Sequence, residues 1–192
     1  MRGRRLWLVW AAVAVLAVVI WQGEVRRSAQ IGAGTPTESK RLLPVPIGDV
    51  GGVEVMVKGT MHRFERDGGG IWFYHGMHDV AQAGHEHRAD PRQAGTIATA
   101  MTAFGRMQRE QRIPLKDGGD EYGVARPDIF IMVYRPGSDA PLARYAIGGL
   151  SPDGYSRYLL AVGASEIVTV PEFHIKNLLG LIDAMKTLRP ST

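Results

Sequence analysis

Residues 53–66 read VEVMVKGTMHRFER, and this stretch sets the fold class. Valine recurs at every second position from 53 to 57, which is the period of a strand with one buried face. Gly59 and Thr60 permit a tight reversal, after which 61–66 continues as a second strand. The stretch therefore predicts a β-hairpin.

Further elements follow in a regular order. The run 67–70 contains three glycines and predicts a turn, and the aromatic run 71–74 predicts a third strand. Asp90, Pro91 and Gln93 have the spacing of a helix start. The helix that follows has one apolar face, formed by Ala94, Ile97, Met101 and Phe104.

The second half repeats the order of strands followed by a helix. The run 128–135, DIFIMVYR, is apolar on both faces and predicts an interior strand. Three more strands are expected at LARYAIGG, SRYLLAV and EIVTV, before a last helix from Pro171. Its apolar stripe comprises Ile175, Leu178, Leu179, Leu181, Ile182, Met185 and Leu188. The pattern predicts an α+β fold with two helices on one face of an antiparallel sheet, compatible with two βββα-like pseudo-repeats.

The N-terminal segment predicts a membrane anchor. Residues 6–21, LWLVWAAVAVLAVVIW, contain no charged side chain and include three tryptophans near the ends, as in an interfacial aromatic belt. A single transmembrane helix over 6–23 is expected. A cleaved signal peptide with processing near 31–34 is the alternative, and both interpretations place the rest of the chain outside the cytoplasm.

This interpretation divides the chain into further parts on either side of the span. Residues 1–5 carry more positive charge than the residues just after the span, which predicts a cytoplasmic N-terminus in a bacterial inner membrane. Residues 24–41 are mostly small and polar and predict a flexible linker. Residues 42–188 are expected to form a periplasmic domain, and 189–192 a short tail.

The charge distribution excludes some classes of protein. The net charge is +4, but removing Glu24 and the five N-terminal arginines (2, 4, 5, 26 and 27) leaves 18 basic and 18 acidic residues. A neutral domain lacks the basic footprint of a nucleic-acid binder. No P-loop or GxGxxG pattern predicts nucleotide binding. The absence of cysteine excludes disulfides and thiolate metal ligands.

Four of the six histidines fall in 75–88, HGMHDVAQAGHEHR. Imidazole nitrogens suit zinc, copper or nickel, with Asp79 and Glu86 as neighbouring oxygen donors. The spacing matches no standard motif such as HExxH. Two interpretations stay open: a metal site formed by His75, His78, His85 and His87, or a solvated loop that contacts a partner.

The sequence predicts no catalytic site but contains candidate interface residues. The chain lacks the G-x-S-x-G elbow of a serine hydrolase, and a metal-dependent hydrolase would first require the metal site, so a non-catalytic protein without a cofactor is expected. If one rim of the sheet exposes Tyr145, Tyr155 and Tyr158, these side chains would suit a protein interface, because tyrosine combines apolar area with a polar tip.

The chain from 42 to about 188 resembles domain-of-unknown-function family 4340, which occurs in bacterial envelope proteins, including auxiliary proteins of gliding-motility-type ABC transporters. The residues that carry the resemblance are Trp72, Ala89-Asp90-Pro91, Tyr122-Gly123-Val124 with Pro127, Ile147-Gly148, Pro152 with Gly154-Tyr155, Tyr158, and the EIVTVP strand before the last helix. The resemblance implies an anchored extracytoplasmic α+β domain beside a membrane complex, without established catalytic residues. The histidine stretch departs from the family pattern.

Two functions follow as hypotheses. The first is a membrane-anchored periplasmic accessory or scaffolding subunit of an envelope complex for transport or respiration. The second is a periplasmic metal-binding protein that uses its histidine-rich loop.

Overall fold

The computed structural model describes residues 40–77 and 91–187, which form an eight-stranded antiparallel sheet and two α-helices. The α+β class predicted from the sequence is therefore confirmed. The strands are β1 (Gly52–Val57), β2 (Thr60–Arg66), β3 (Trp72–Met77), β4 (Arg112–Pro114), β5 (Ile129–Tyr134), β6 (Pro141–Leu150), β7 (Ser156–Ala161) and β8 (Glu166–Pro171). The helices are α1 (Pro91–Gly105) and α2 (Glu172–Thr187).

The sheet order is β3-β2-β1-β5-β6-β7-β8-β4. Each half of the chain starts at the centre of the sheet, where β1 pairs with β5, and then runs outward before it ends in a helix. The outward run has three strands in the first half and four in the second. The prediction that β5 is an interior strand is confirmed, because it pairs with both β1 and β6.

The first hairpin turns one residue earlier than the sequence predicts. Val57 pairs with Thr60, so the two turn residues are Lys58 and Gly59. Both have a positive φ, 48° and 83°, as the mirror-image turns of two-residue hairpins require. Glycine adopts this conformation without steric cost, which explains why the hairpin reverses at Gly59.

The main core lies on one face of the sheet and receives side chains from both helices. Cross-strand partners such as Val55 and Ile131 bring buried residues of successive strands onto this face. The fully buried helical side chains in this core are Ile97, Met101 and Phe104 of α1, and Ile175, Leu178, Leu181, Ile182 and Met185 of α2. Burying each large apolar side chain contributes about 1.5–3 kcal/mol. The predicted helix faces are confirmed up to Met185, although Ala94 and Leu179 are only partly buried, and Leu188 lies outside the described residues.

A second, smaller core covers the opposite face of the sheet near β6 to β8. Val124, Ala146 and Ile167 form its centre. The chain between β4 and β5 provides the cover, through Leu115 and the helical turns at Asp117–Tyr122. The sequence did not predict β4, which is only three residues long and pairs with β8.

Two predicted boundaries, the start of the domain and the start of the last helix, lie at different residues in the structure. Lys40 and Arg41, assigned to the linker from the sequence, already pair with the chain just after α1 through Arg109 and Gln108. Helix α2 begins at Glu172, because the preceding Pro171 closes β8.

Within 40–77 and 91–187, neither helix combines the length and the apolar character needed to cross a bilayer. The predicted span at 6–23 lies outside the described residues.

Candidate functional site

His75 lies on strand β3 and not in a loop, because this strand extends beyond the predicted aromatic run to Met77. The pairing of β2 with β3 shifts register between Arg63 and Phe64, and Gly76 has a φ of 102°. This β-bulge places the imidazole beside a carboxylate of β2. The Nδ1 atom of His75 lies 2.8 Å from Oε2 of Glu65.

Arg63 connects this pair to a larger set of side chains on the same face. Its Nη1 donates to Oε1 of Glu54 at 2.7 Å, and its Nε donates to Oε1 of Glu65 at 2.6 Å. The guanidinium carbon also lies 5.3 Å from the ring centroid of Tyr134, whose hydroxyl donates to Oε2 of Glu54 at 2.6 Å. We call Glu54, Arg63, Glu65, His75 and Tyr134 the outer-face network.

The shifted pKa values of Glu65 and Tyr134 show which groups of the outer-face network accept and which donate hydrogen bonds. Burial alone would raise the pKa of Glu65, but hydrogen bonds from His75 and Arg63 outweigh it and hold the pKa below its usual value. Burial is the largest cause that raises the pKa of Tyr134 to about 12, and the hydrogen bond to Glu54 is the next largest. Tyr134 therefore remains a hydrogen-bond donor over the physiological pH range.

The arrangement of Glu65 and His75 also matches one feature of metal sites. A metal-binding histidine commonly donates its second ring N–H to a carboxylate, which orients the ring and fixes its tautomer. Among residues 40–77 and 91–187, no three histidine, aspartate or glutamate side chains group so as to hold a metal ion. His78, His85 and His87 lie outside the described residues, as do Asp79 and Glu86, so the four-histidine site stays a prediction.

Most of the outer-face network was not predicted from the sequence. Arg63 and Glu65 alternate with His62 and Phe64 along β2, which placed them together on the second face of that strand. The register of β1 against β2 then pairs Glu54 directly with Arg63. The sequence did contain one signal for this network, which is the pair of opposite charges at Arg63 and Glu65, two residues apart on one strand.

The three tyrosines predicted to form an interface do not share a rim. The prediction is wrong for Tyr145, because this residue is buried in the main core. Its hydroxyl donates a hydrogen bond to the carbonyl oxygen of Leu42 at 3.0 Å, and burial raises the pKa of Tyr145. Tyr158 is half-buried in the second core, with its ring edge-on to Tyr122 at 4.8 Å. Only Tyr155 is strongly exposed, at 81%.

Tyr155 lies in the turn between β6 and β7, and hydrogen bonds stabilise the backbone of this turn. Oδ1 of Asp153 accepts hydrogen bonds from the Tyr155 N–H at 2.8 Å and from the Ser151 hydroxyl at 2.5 Å. The carbonyl oxygen of Tyr155 accepts a hydrogen bond from the Glu172 N–H at 2.8 Å, which joins the turn to the start of α2. The ring is therefore presented from a well-braced turn.

Two other large apolar side chains are exposed near this turn. Leu150 ends β6 just before it, and Phe173 follows Glu172 in α2. We call the two exposed aromatic residues, Tyr155 and Phe173, the aromatic tip.

Comparison with protein-family models, with curated proteins and with solved structures found no match for this chain. Any function proposed for the chain therefore depends on its residues and their geometry. The family resemblance described above stays a prediction.

Proposed function

We propose that this chain is a membrane-anchored periplasmic accessory subunit whose folded domain docks a partner in an envelope complex. The observation that carries the proposal is the aromatic tip, where Tyr155 is 81% exposed on a braced turn. Interface hot spots are enriched in tyrosine, and a side chain presented from an ordered backbone loses little further entropy on binding.

The predicted anchor supports the same role. A span at 6–23 would hold the domain at the membrane and raise its local concentration near a partner in the same bilayer. A modest interface around the aromatic tip then suffices. The neutral charge of the domain favours a protein partner over a nucleic acid.

Replacing Tyr155 by serine is expected to weaken partner recovery strongly. Truncating a hot-spot aromatic costs about 2 kcal/mol or more, which corresponds to roughly thirtyfold in affinity. The measurement is affinity purification of the full chain from membranes in mild detergent, with quantification of the protein that co-purifies.

The matched control is Ile71→Ser. Ile71 is also an exposed apolar residue, at 50%, but it lies in the turn before β3, outside the aromatic tip. The control is expected to retain the partner. Recovery of the wild-type chain alone as a monomer, or equal loss of the partner in both variants, would contradict the docking role.

The metal-binding alternative remains a proposal from the histidine stretch. The hydrogen bond between Glu65 and His75 is compatible with it, but the same contact serves equally as a structural hydrogen bond of the outer-face network. Three of the four predicted ligands lie outside the described residues, so docking is the function that the described geometry supports best.

A further inference from the structure

The described domain begins in a short antiparallel ribbon, in which residues 40–42 pair with 107–109. The Arg109 N–H donates to the carbonyl oxygen of Lys40 at 2.7 Å, so these two basic residues lie opposite each other across the ribbon. Like charges that face each other directly destabilise a pair of strands. An anionic partner at the ribbon would remove this repulsion.

Further positive charge surrounds this pair. Arg112 lies on β4, shortly after the ribbon. Burial is the main cause that lowers the pKa of Arg109, and the nearby charge of Arg112 is the next. Arg41 and Arg106 are exposed, and neither forms an ion pair with a residue of 40–77 or 91–187. We call these five residues the basic segment: Lys40, Arg41, Arg106, Arg109 and Arg112.

Two carboxylates near the basic segment compensate only part of its charge. Glu166 lies 3.7 Å from Arg112, but both side chains are about half exposed, and an ion pair in that setting is weak. Glu110 follows Arg109 in the chain, and its Oε2 accepts a hydrogen bond from the Ser156 hydroxyl at 2.7 Å. The basic segment is therefore a local excess of positive charge in a domain that is neutral as a whole.

We propose that the basic segment lies against the membrane surface and binds anionic phospholipid headgroups. Residues 24–39 separate it from the predicted span at 6–23, and a flexible chain of that length covers roughly 20–25 Å. The headgroups are therefore within reach of the start of the domain. Each lysine or arginine close to an anionic bilayer strengthens binding roughly fivefold. The inference rests on the tether of the proposed function, but not on the aromatic tip.

A membrane surface accounts for the position of this charge better than an acidic protein does. The basic segment contains the first two described residues after the predicted span, so the tether supplies the bilayer at high local concentration. Contact at this point would also orient the domain on the membrane. An acidic protein partner has no reason to bind at the point where the chain leaves the bilayer.

Reconstitution of the full chain in lipid vesicles tests the inference. Because the chain contains no cysteine, a fluorophore on Gln108→Cys reports only on the ribbon, where Gln108 pairs with Arg41. Lipids with spin-labelled headgroups are expected to quench this fluorophore in vesicles rich in phosphatidylglycerol, and far less in vesicles of phosphatidylcholine alone. Salt at about 1 M is expected to reverse the quenching, because the Debye length falls to about 3 Å.

Two double variants identify the residues responsible. Arg41→Gln/Arg106→Gln removes two exposed cations of the basic segment and is expected to lower the ratio of quenched to unquenched fluorophore about twenty-fivefold. Arg126→Gln/Arg135→Gln is the matched control. It makes the same change of charge at exposed residues on either side of β5, outside the basic segment, and is expected to keep the wild-type quenching.

Four results would overturn the inference. One is equal quenching in neutral and anionic vesicles, and another is equal loss in the two double variants. If the chain floats with anionic vesicles after an alkaline wash but the fluorophore is not quenched, the basic segment binds no lipid while the tether stands; if the chain does not float, the tether fails and the proposed function fails with it. Loss of the co-purifying partner in Arg41→Gln/Arg106→Gln, without any effect of lipid charge on quenching, would assign the basic segment to an acidic protein surface.

Discussion

Gly148→Ala is expected to lower the free energy of unfolding by about 3 kcal/mol, because there is no space for a methyl group at this position. A Cβ atom on Gly148 would lie 2.1 Å from the carbonyl oxygen of Tyr122 and 2.9 Å from Cγ1 of Val124. The nearest obstacle is backbone, which cannot rotate away as a flexible side chain would. The covering segment would have to lift and open the second core. Chemical denaturation of the folded domain measures the decrease in the free energy of unfolding.

The adjacent glycine offers a matched control. A Cβ atom on Gly149 would lie 3.8 Å from the same carbonyl oxygen, which is an ordinary van der Waals contact. Gly149→Ala is therefore expected to change stability by less than about 0.5 kcal/mol. Equal destabilisation by the two variants would show that the close approach of Tyr122 is not what requires glycine at position 148.

Arg157→Met is expected to cost about 3–5 kcal/mol at neutral pH, because it leaves a buried carboxylate without its partner. Glu172 is only 5% exposed, and its Oε2 accepts a hydrogen bond from Nε of Arg157 at 2.5 Å. Arg157 also donates from Nη1 to the carbonyl oxygen of Gly148 at 3.0 Å. One guanidinium thus joins β6, β7 and the first residue of α2. Urea unfolding with a fluorescence readout measures the change.

Lys176 provides the control, because its Nζ lies 4.0 Å from the same carboxylate but its side chain is 71% exposed. Lys176→Met is expected to change stability by less than about 1 kcal/mol, as surface ion pairs usually do. The double variant Arg157→Met/Glu172→Leu is expected to recover most of the loss, since it leaves no unpaired charge. If Arg157→Met is no more harmful than Lys176→Met, the buried ion pair has no structural role.

The regular part of the fold could be predicted because its patterns are local. Alternating valines predicted β1, the two-sided apolar run at 128–135 predicted an interior strand, and Pro91 marked the start of α1. Each of these signals depends on neighbouring residues whose spacing follows directly from strand or helix geometry.

The parts that were not predicted depend on contacts between distant residues. Strand β4 has no periodicity of its own in three residues and exists because it pairs with β8, more than fifty residues later in the chain. The contact between His75 and Glu65 requires a β-bulge, which alternation along one strand does not reveal. Tyr145 was misplaced even though the exposed Arg144 beside it marks the opposite face of β6.

The central claim is that this domain is tethered outside the cytoplasm with its aromatic tip accessible. Because the chain contains no cysteine, a single introduced cysteine reports its own location. The account predicts that Tyr155→Cys reacts with a membrane-impermeant maleimide in intact spheroplasts and remains with the membrane fraction, whereas Gly3→Cys reacts only after lysis. Labelling of position 155 only after lysis, or recovery of the full chain in the cytosolic fraction, would contradict it.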